Sequence, residues 1–185
     1  MKIYAIRHGL TEFNKKEIIN GQLDEPLSAE GFQQAKNAID SVPDTVQYIY
    51  ASSLLRARQT AEVLNVKLKR PVSFHDELQE INLGVLAGKS WENMESGDEL
   101  RKKHRSVAYD YREHGGESVE AVKARLLRFL ESISGRHSDH EALLVTHGGI
   151  IRLLYFLEHG TPPEKVENVS LHSFDSTKVL RSHNT

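Results

Sequence analysis

Lys2–Gly9 reads KIYAIRHG, and Ala142–Gly149 reads ALLVTHGG. Each is a short apolar run that ends on a histidine followed by glycine. Apolar runs of about four to eight residues bounded by turn signals mark buried strands. In open α/β sheets the C-terminal ends of such strands form the ligand crevice. Glycine after each histidine lets the backbone turn sharply and approach a ligand closely. If the two strands are neighbours, His8 and His147 face one small volume, with Arg7 beside the first.

Working outward, short apolar runs alternate with helix-length amphipathic segments, which predicts an α/β fold with a largely parallel sheet. Lys2–Ile6, Gln47–Ala51, Val72–Phe74 and Ala142–Val145 read as the strands. Ser28 is the expected N-cap of a helix with Phe32, Ala35 and Ile39 on one face. Ser52 and Ser53 are placed to cap the next helix, which buries Leu54, Ala57, Ala61 and Leu64. Ser118 opens the clearest helix, with Val119, Val122, Leu126, Phe129, Leu130 and Ile133 on one stripe. Gly148-Gly149 leads into a helix through Leu157. Val169–Phe174 and Lys178–Arg181 read as a closing pair of strands around Asp175-Ser176. The polar stretch Lys89–His114 reads as helical excursions over one edge, a lid within a single domain spanning residues 1–185.

Composition bounds the function. The 185 residues carry 24 Lys+Arg against 26 Asp+Glu, a formal net charge of -2, with 38% hydrophobic and 27% charged residues. That is the profile of a soluble globular chain. The balance argues against a dedicated nucleic-acid binder, which shows a basic excess. With Cys at 0 there is no disulfide framework, thiolate metal site or cysteine nucleophile. No apolar run approaches the ~18 residues of a membrane span, and Arg7 and His8 come too early for a secretory signal. A cytoplasmic protein with no membrane or nucleic-acid partner is expected, as a monomer or a homodimer.

Ser52-Ser53-Leu54-Leu55-Arg56 puts Arg56 on the first helical turn beyond the second strand. Helix N-termini offer free N–H groups and a positive dipole end, so this crevice suits an anion. Two guanidiniums and two imidazoles suit a phosphoryl group, because arginine meets phosphate oxygens in a bidentate way. Other readings fail. Gly84–Ser90 has three residues between its glycines where a phosphate-binding P-loop needs four. His-Glu-x-x-His and Gly-x-Ser-x-Gly are absent.

The blocks Arg7-His8-Gly9-Leu10-Thr11, Asn20–Ser28, Ser52–Ala61, Leu78–Gly84, Gly115-Gly116-Glu117-Ser118 and Val145–Gly149 occur in order over nearly the whole chain. In that order they resemble the histidine phosphatase superfamily, the phosphoglycerate-mutase-like proteins. The resemblance implies a three-layer sandwich with helices on both faces of a mostly parallel sheet. It implies that His8 is the nucleophile and becomes phosphohistidine. Arg7, Arg56, Asn14 and His147 would hold the phosphoryl oxygens, and Glu80 would be the general acid. Asn20, Gly21 and Gly148 would line the same pocket. Leu10 stands where the family usually carries Glu or Gln, Ile18 where Arg is frequent, and Asn20 where Gln is frequent.

The implied chemistry is sound. A neutral imidazole can attack phosphorus and split one hard displacement into two easier ones. Arg7, Arg56 and a protonated His147 would stabilise charge on the equatorial oxygens. A carboxylic acid would protonate the leaving oxygen. No metal and no cofactor is called for. The expected activity is hydrolysis of a small phosphorylated metabolite; the alternatives are a phosphomutase or a binding member without turnover. Phosphatase is preferred because the segment after Glu80 is short, running quickly to Gly88 and Trp91. The basic run Arg101–Arg105 reads as a solvated helix face balanced by Glu92, Glu95, Asp98 and Glu99, with contact to a second anionic group as the alternative. Trp91 is expected to pack in the core or lid, with stacking on a substrate ring as the alternative; Tyr109 and Tyr111 are open between the same readings, and Glu117 and Ser118 are expected to cap the long helix.

Overall fold

The computed structural model describes residues 1–136 and 139–181. Its centre is a sheet of β1 (Lys2–Arg7), β2 (Val46–Ser52), β3 (Val72–His75), β4 (Glu141–Thr146) and β5 (Leu171–Asp175). The order is β3-β2-β4-β1-β5. β1, β2, β3 and β4 run parallel, and β5 closes the edge antiparallel to β1.

The side chains of each central strand alternate between two cores, as the two-residue period of a strand requires. Ile3, Ala5, Tyr50, Ala142 and Leu144 face one core. Tyr4, Ile6, Ile49, Ala51, Leu143 and Val145 face the other. The first core is covered by α5 (Val119–Arg136) and α6 (Gly148–His159), whose apolar stripes include Val122, Leu126, Leu130, Ile151 and Leu154. The second is covered by α3 (Leu55–Leu68) through Ala57, Ala61, Leu64 and Leu68. α2 (Ala29–Asn37) packs beside α3, and a short α1 (Glu12–Lys15) follows β1. This is the three-layer α/β sandwich expected from the sequence.

Local details differ from expectation in three places. Lys178–Arg181 is not a strand: Ser176–Arg181 forms a helix, α7, with Val179 buried in the first core. β5 already fills the sheet edge, and α7 packs back on α5 and α6. Neither Ser52 nor Ser53 caps α3 in the ordinary way. The Leu55 N–H donates to Asp24 Oδ1 at 2.6 Å, so a distant loop supplies that cap. Ser118 caps α5 through Ala121 N–H, but Glu117 does not. Its carboxylate accepts from Asn82 N–H and from Arg125.

Residues 89–114 form α4 (Gly97–Arg105) flanked by single 3-10 turns. Val107, Tyr109 and Tyr111 of this stretch are buried within the first core, and Trp91, Met94 and Leu100 pack against it. The stretch is anchored by tyrosines, which is why its shortage of aliphatics gave little sign of a core contribution. Among the described residues no helix is long and apolar enough to cross a membrane.

Candidate active site

The strand order creates the site. β4 lies between β1 and β2, with Arg7 opposite Thr146 and Ala51 opposite Val145. The next residues, His8 and His147, leave neighbouring strand ends together, and the His8 N–H continues the ladder to Thr146 C=O at 2.9 Å. Their ring centroids are 5.1 Å apart.

His8 is held in one tautomer by its neighbours. Nδ1 lies 2.7 Å from the Gly9 carbonyl, which can only accept, so Nδ1 carries the proton. Nε2 accepts from Arg56 Nε at 3.3 Å and keeps its lone pair. Burial, with Arg56 and Arg7 nearby, holds the His8 pKa well below the ordinary histidine value. The ring is therefore neutral.

Arg56 is fully buried. Its Nη1 and Nη2 donate to the carbonyls of Leu23 and Gly21, each at 2.7 Å. Burial lowers its pKa to about 10, with Glu80, Glu25 and Asp24 opposing, and it stays charged at neutral pH. Arg56 thus fixes the loop at residues 21–23 as well as the His8 ring. Arg7 Nη1 donates to Val166 C=O at 2.7 Å, while its buried Nε has no partner.

Glu80 enters from the loop after β3. Oε1 accepts from Ile81 N–H at 3.0 Å and Oε2 from Gly149 N–H at 3.2 Å. A side chain at 149 would collide with this carboxylate: its Cβ would lie 2.4 Å from Glu80 Oε1 and 2.5 Å from Ile81 Cδ1. The backbone carbonyl of Glu80 is gripped by Gln22 Nε2 at 3.1 Å and Arg125 Nη2 at 3.2 Å. Arg125 also donates to Glu77 C=O and is paired with Glu117 at 2.9 Å.

A cavity of about 350 Å³ opens over these groups. Arg7, His8, Asn14, Asn20, Gly21, Arg56, Glu80 and Gly148 all line it. His147 does not. It lies wholly buried behind His8, with Nε2 2.8 Å from Ser52 Oγ and Nδ1 unpartnered. Burial and Arg56 push its pKa well down. Burial first, and the nearby cations after it, disfavour the imidazolium expected from the sequence.

Asn14 Oδ1 closes a capping box with Thr11 and accepts from Asn168 Nδ2 at 3.4 Å. Asn20 Nδ2 donates to Thr11 Oγ1. Leu10 needs no polar side chain to fix the loop: its N–H donates to Gln34 Oε1 and its carbonyl accepts from Ser28. Residues not anticipated from the sequence also reach the site. Asn168 Nδ2 donates to His8 C=O at 2.9 Å, and Arg152 lines the cavity. Arg152 left a trace in the sequence as a single charge within the apolar run of α6; Asn168, in a polar loop, left none.

Two imidazoles and two guanidiniums at the C-terminal edge of a parallel sheet define the class: an α/β fold whose strand-end crevice gathers groups suited to an anion. Residues 3–185 match the family model of the histidine phosphatase superfamily, branch 1, and the chain belongs to that superfamily. A curated relative named "Probable phosphoglycerate mutase GpmB", from Escherichia coli O1:K1, is 29% identical over 181 residues, covering 97% of this chain and 84% of the relative. The solved structure of TTHB049 from Thermus thermophilus is similar at TM-score 0.78 and 31% identity, over 95% of this chain and 94% of that one. The mycobacterial glucosyl-3-phosphoglycerate phosphatase Rv2419c, solved with VO3, is similar at TM-score 0.80 and 26% identity, over 93% and 91%.

Proposed function

We propose that the protein is a metal-independent phosphomonoester hydrolase that works through a phosphohistidine at His8 on a small phosphorylated metabolite. The observation that carries this reading is the tautomer of His8, with Nδ1–H given to Gly9 C=O and the Nε2 lone pair retained beside Arg56. Nε2 attacks phosphorus; the N–P bond forms as the ester P–O bond breaks. Arg7, Arg56 and the Asn14 amide stabilise the equatorial oxygens, so the cationic charge comes from the protein. With the Ser52 hydroxyl donating to Nε2, His147 would be a neutral ring protonated on Nδ1, off the cavity wall. Glu80 gives its proton to the leaving oxygen, then takes one from the water that cleaves the N–P bond and releases phosphate.

The test is phosphate release from a panel of phosphomonoesters with chelator present, comparing the wild type with His8→Ala. Turnover that survives chelator and vanishes in the variant supports the proposal. A strict Mg²⁺ requirement, or full activity in the variant, removes it. The mutase name of the curated relative supports a second reading, transfer of the phosphoryl group back to a reoriented substrate. Priming by a bisphosphorylated glycerate with no net phosphate release would favour that reading. Residues 89–114, which contribute Trp91, Arg101, His104 and Arg105 to the cavity wall, act as its cover in either case.

A further inference from the structure

The proposed chemistry depends on the His8 proton staying on Nδ1, where the Gly9 carbonyl takes it at 2.7 Å. Glycine is a poor residue to hold a carbonyl still, since it has more backbone freedom than any other. Yet packing demands glycine here: a Cβ at 9 would stand 2.5 Å from the Gly31 carbonyl oxygen. The freedom is removed by side chains from elsewhere. A peptide unit is a rigid plane, and the planes on both sides of the Gly9 Cα are held. In the first, Gly9 N–H donates to Thr60 Oγ1 at 3.0 Å, and His8 C=O accepts from Asn168 Nδ2 at 2.9 Å. In the second, Leu10 N–H donates to Gln34 Oε1 at 3.0 Å.

Thr60 does more than hold one N–H. It is fully buried in α3 and does not line the cavity. Its hydroxyl donates to Arg56 C=O at 2.7 Å, which leaves an oxygen lone pair for Gly9 N–H. Arg56 in turn donates from Nε to His8 Nε2 at 3.3 Å. One hydroxyl thus links the residue that faces Nδ1 to the residue that faces Nε2. Asn168 sits next to a strained residue. Val169 has φ 52°, which a β-branched side chain rarely adopts, and its N–H donates to Arg7 C=O at 3.0 Å. Backbone strain of this kind persists where the surroundings over-determine it, and it gathers at functional sites.

We infer that Thr60 and Asn168 are positioning residues for His8, clamping the His8–Gly9 peptide so that the ring keeps its proton on Nδ1 and its lone pair on Nε2. This deepens the reading of His8 as phosphoryl acceptor and rests on it. With the clamp released, the Gly9 carbonyl turns from Nδ1 and the ring can hold its proton on Nε2 instead. That tautomer has no Nε2 lone pair for phosphorus, and it sets an N–H against the Nε–H of Arg56.

Thr60→Val keeps the side-chain shape without the hydroxyl, and Thr60→Ser keeps the hydroxyl. Nitrogen-detected NMR of the His8 ring in the full chain, assigned by the signals missing from His8→Ala, reads the tautomer with no ester present. The wild type and Thr60→Ser should show one neutral tautomer protonated on Nδ1; Thr60→Val should show a mixture. On p-nitrophenyl phosphate, Thr60→Val should lose about ten- to a hundredfold in kcat with KM little changed, and Thr60→Ser should recover most of the rate. Asn168→Ala should act in the same way. The double variant should lose less than the product of the two single losses, because both supports serve one peptide. A folded Thr60→Val that keeps the single tautomer, or losses that multiply, overturns the proposal. If circular dichroism shows Thr60→Val unfolded, Asn168→Ala carries the same test. A wild type that hydrolyses no ester removes the hydrolase reading, while the tautomer spectra still decide the clamp.

Discussion

Arg56 Nε lies 3.3 Å from His8 Nε2 and donates to it, while the rest of its guanidinium is tied to the carbonyls of Gly21 and Leu23. One buried cation therefore sets the protonation of the proposed nucleophile and the shape of the loop across from it. Arg56→Gln should destabilise the fold by about 2–4 kcal/mol, since it strands buried carbonyls. It should also lower kcat by about 10²-fold or more by removing a charge-stabilising donor. Urea unfolding and steady-state kinetics check both. A variant of unchanged stability would show that the loop does not depend on this residue.

Arg125 does not line the cavity and would act through Glu80, the proposed general acid. It holds the carbonyls of Glu77 and Glu80 and is itself held by Glu117. Arg125→Leu should lower kcat by about ten- to a hundredfold through misplacement of the carboxyl, with the affinity for inorganic phosphate unchanged. Arg125→Lys should restore part of the rate. Equal loss of phosphate affinity would place Arg125 in direct binding instead.

Gly149 leaves room for Glu80 and Ile81 at the start of α6. Gly149→Ala should force Glu80 from its bond with the 149 N–H, at a cost of about 1–3 kcal/mol for overpacking. The loss of rate should be greatest for esters with poor leaving groups, which depend most on a proton donor. A uniform loss across leaving groups would point to disturbance of the phosphoryl pocket.

Ser52 anchors the buried His147 at 2.8 Å. Ser52→Ala should remove about 1 kcal/mol of stability and free the ring to turn. In the wild type, the His147 side-chain signals in NMR should be those of one fixed neutral tautomer at pH 7. Mixed tautomers would argue against the assignment.

The buried histidines also tie stability to pH. His8 and His147 are held well below the ordinary value, and His104 is lowered to about 4. Each takes up a proton more readily when unfolded. Their contribution is complete above the unfolded histidine pKa of ~6.5 and is lost as pH falls from there toward each folded value. Over that window each group contributes a slope of about 1.4 kcal/mol per pH unit. Urea midpoints measured from pH 7.5 to pH 5 should therefore fall steadily with acid. His104→Gln should reduce the slope, and a flat profile would contradict the buried neutral state of these rings.

Much of the molecule was legible in the chain. Continuous apolar runs and the two His-Gly strand ends marked β1 and β4, and the parallel sheet followed from alternation with amphipathic helices. The features that escaped were those set by distant parts of the chain. Lys178–Arg181 is short and β-compatible, yet it is helical because β5 already occupies the sheet edge and α7 finds a surface on α5 and α6. Asp24 caps α3 across a loop that no local pattern connects to it.

The sequence by itself determined the α/β class, the crevice at the strand ends and the residue types gathered there, because apolar runs, turn glycines and side-chain chemistry are local properties. Only the tertiary structure decided how those residues are charged and connected. It placed β4 between β1 and β2, so that His8, His147 and Arg56 share one buried volume. Burial among guanidiniums makes both imidazoles neutral, where the residue types alone suggested an imidazolium at His147. It also turned the basic face of α4 toward the cavity. Desolvation and field depend on what surrounds a group in space, and that is settled only when the chain is folded.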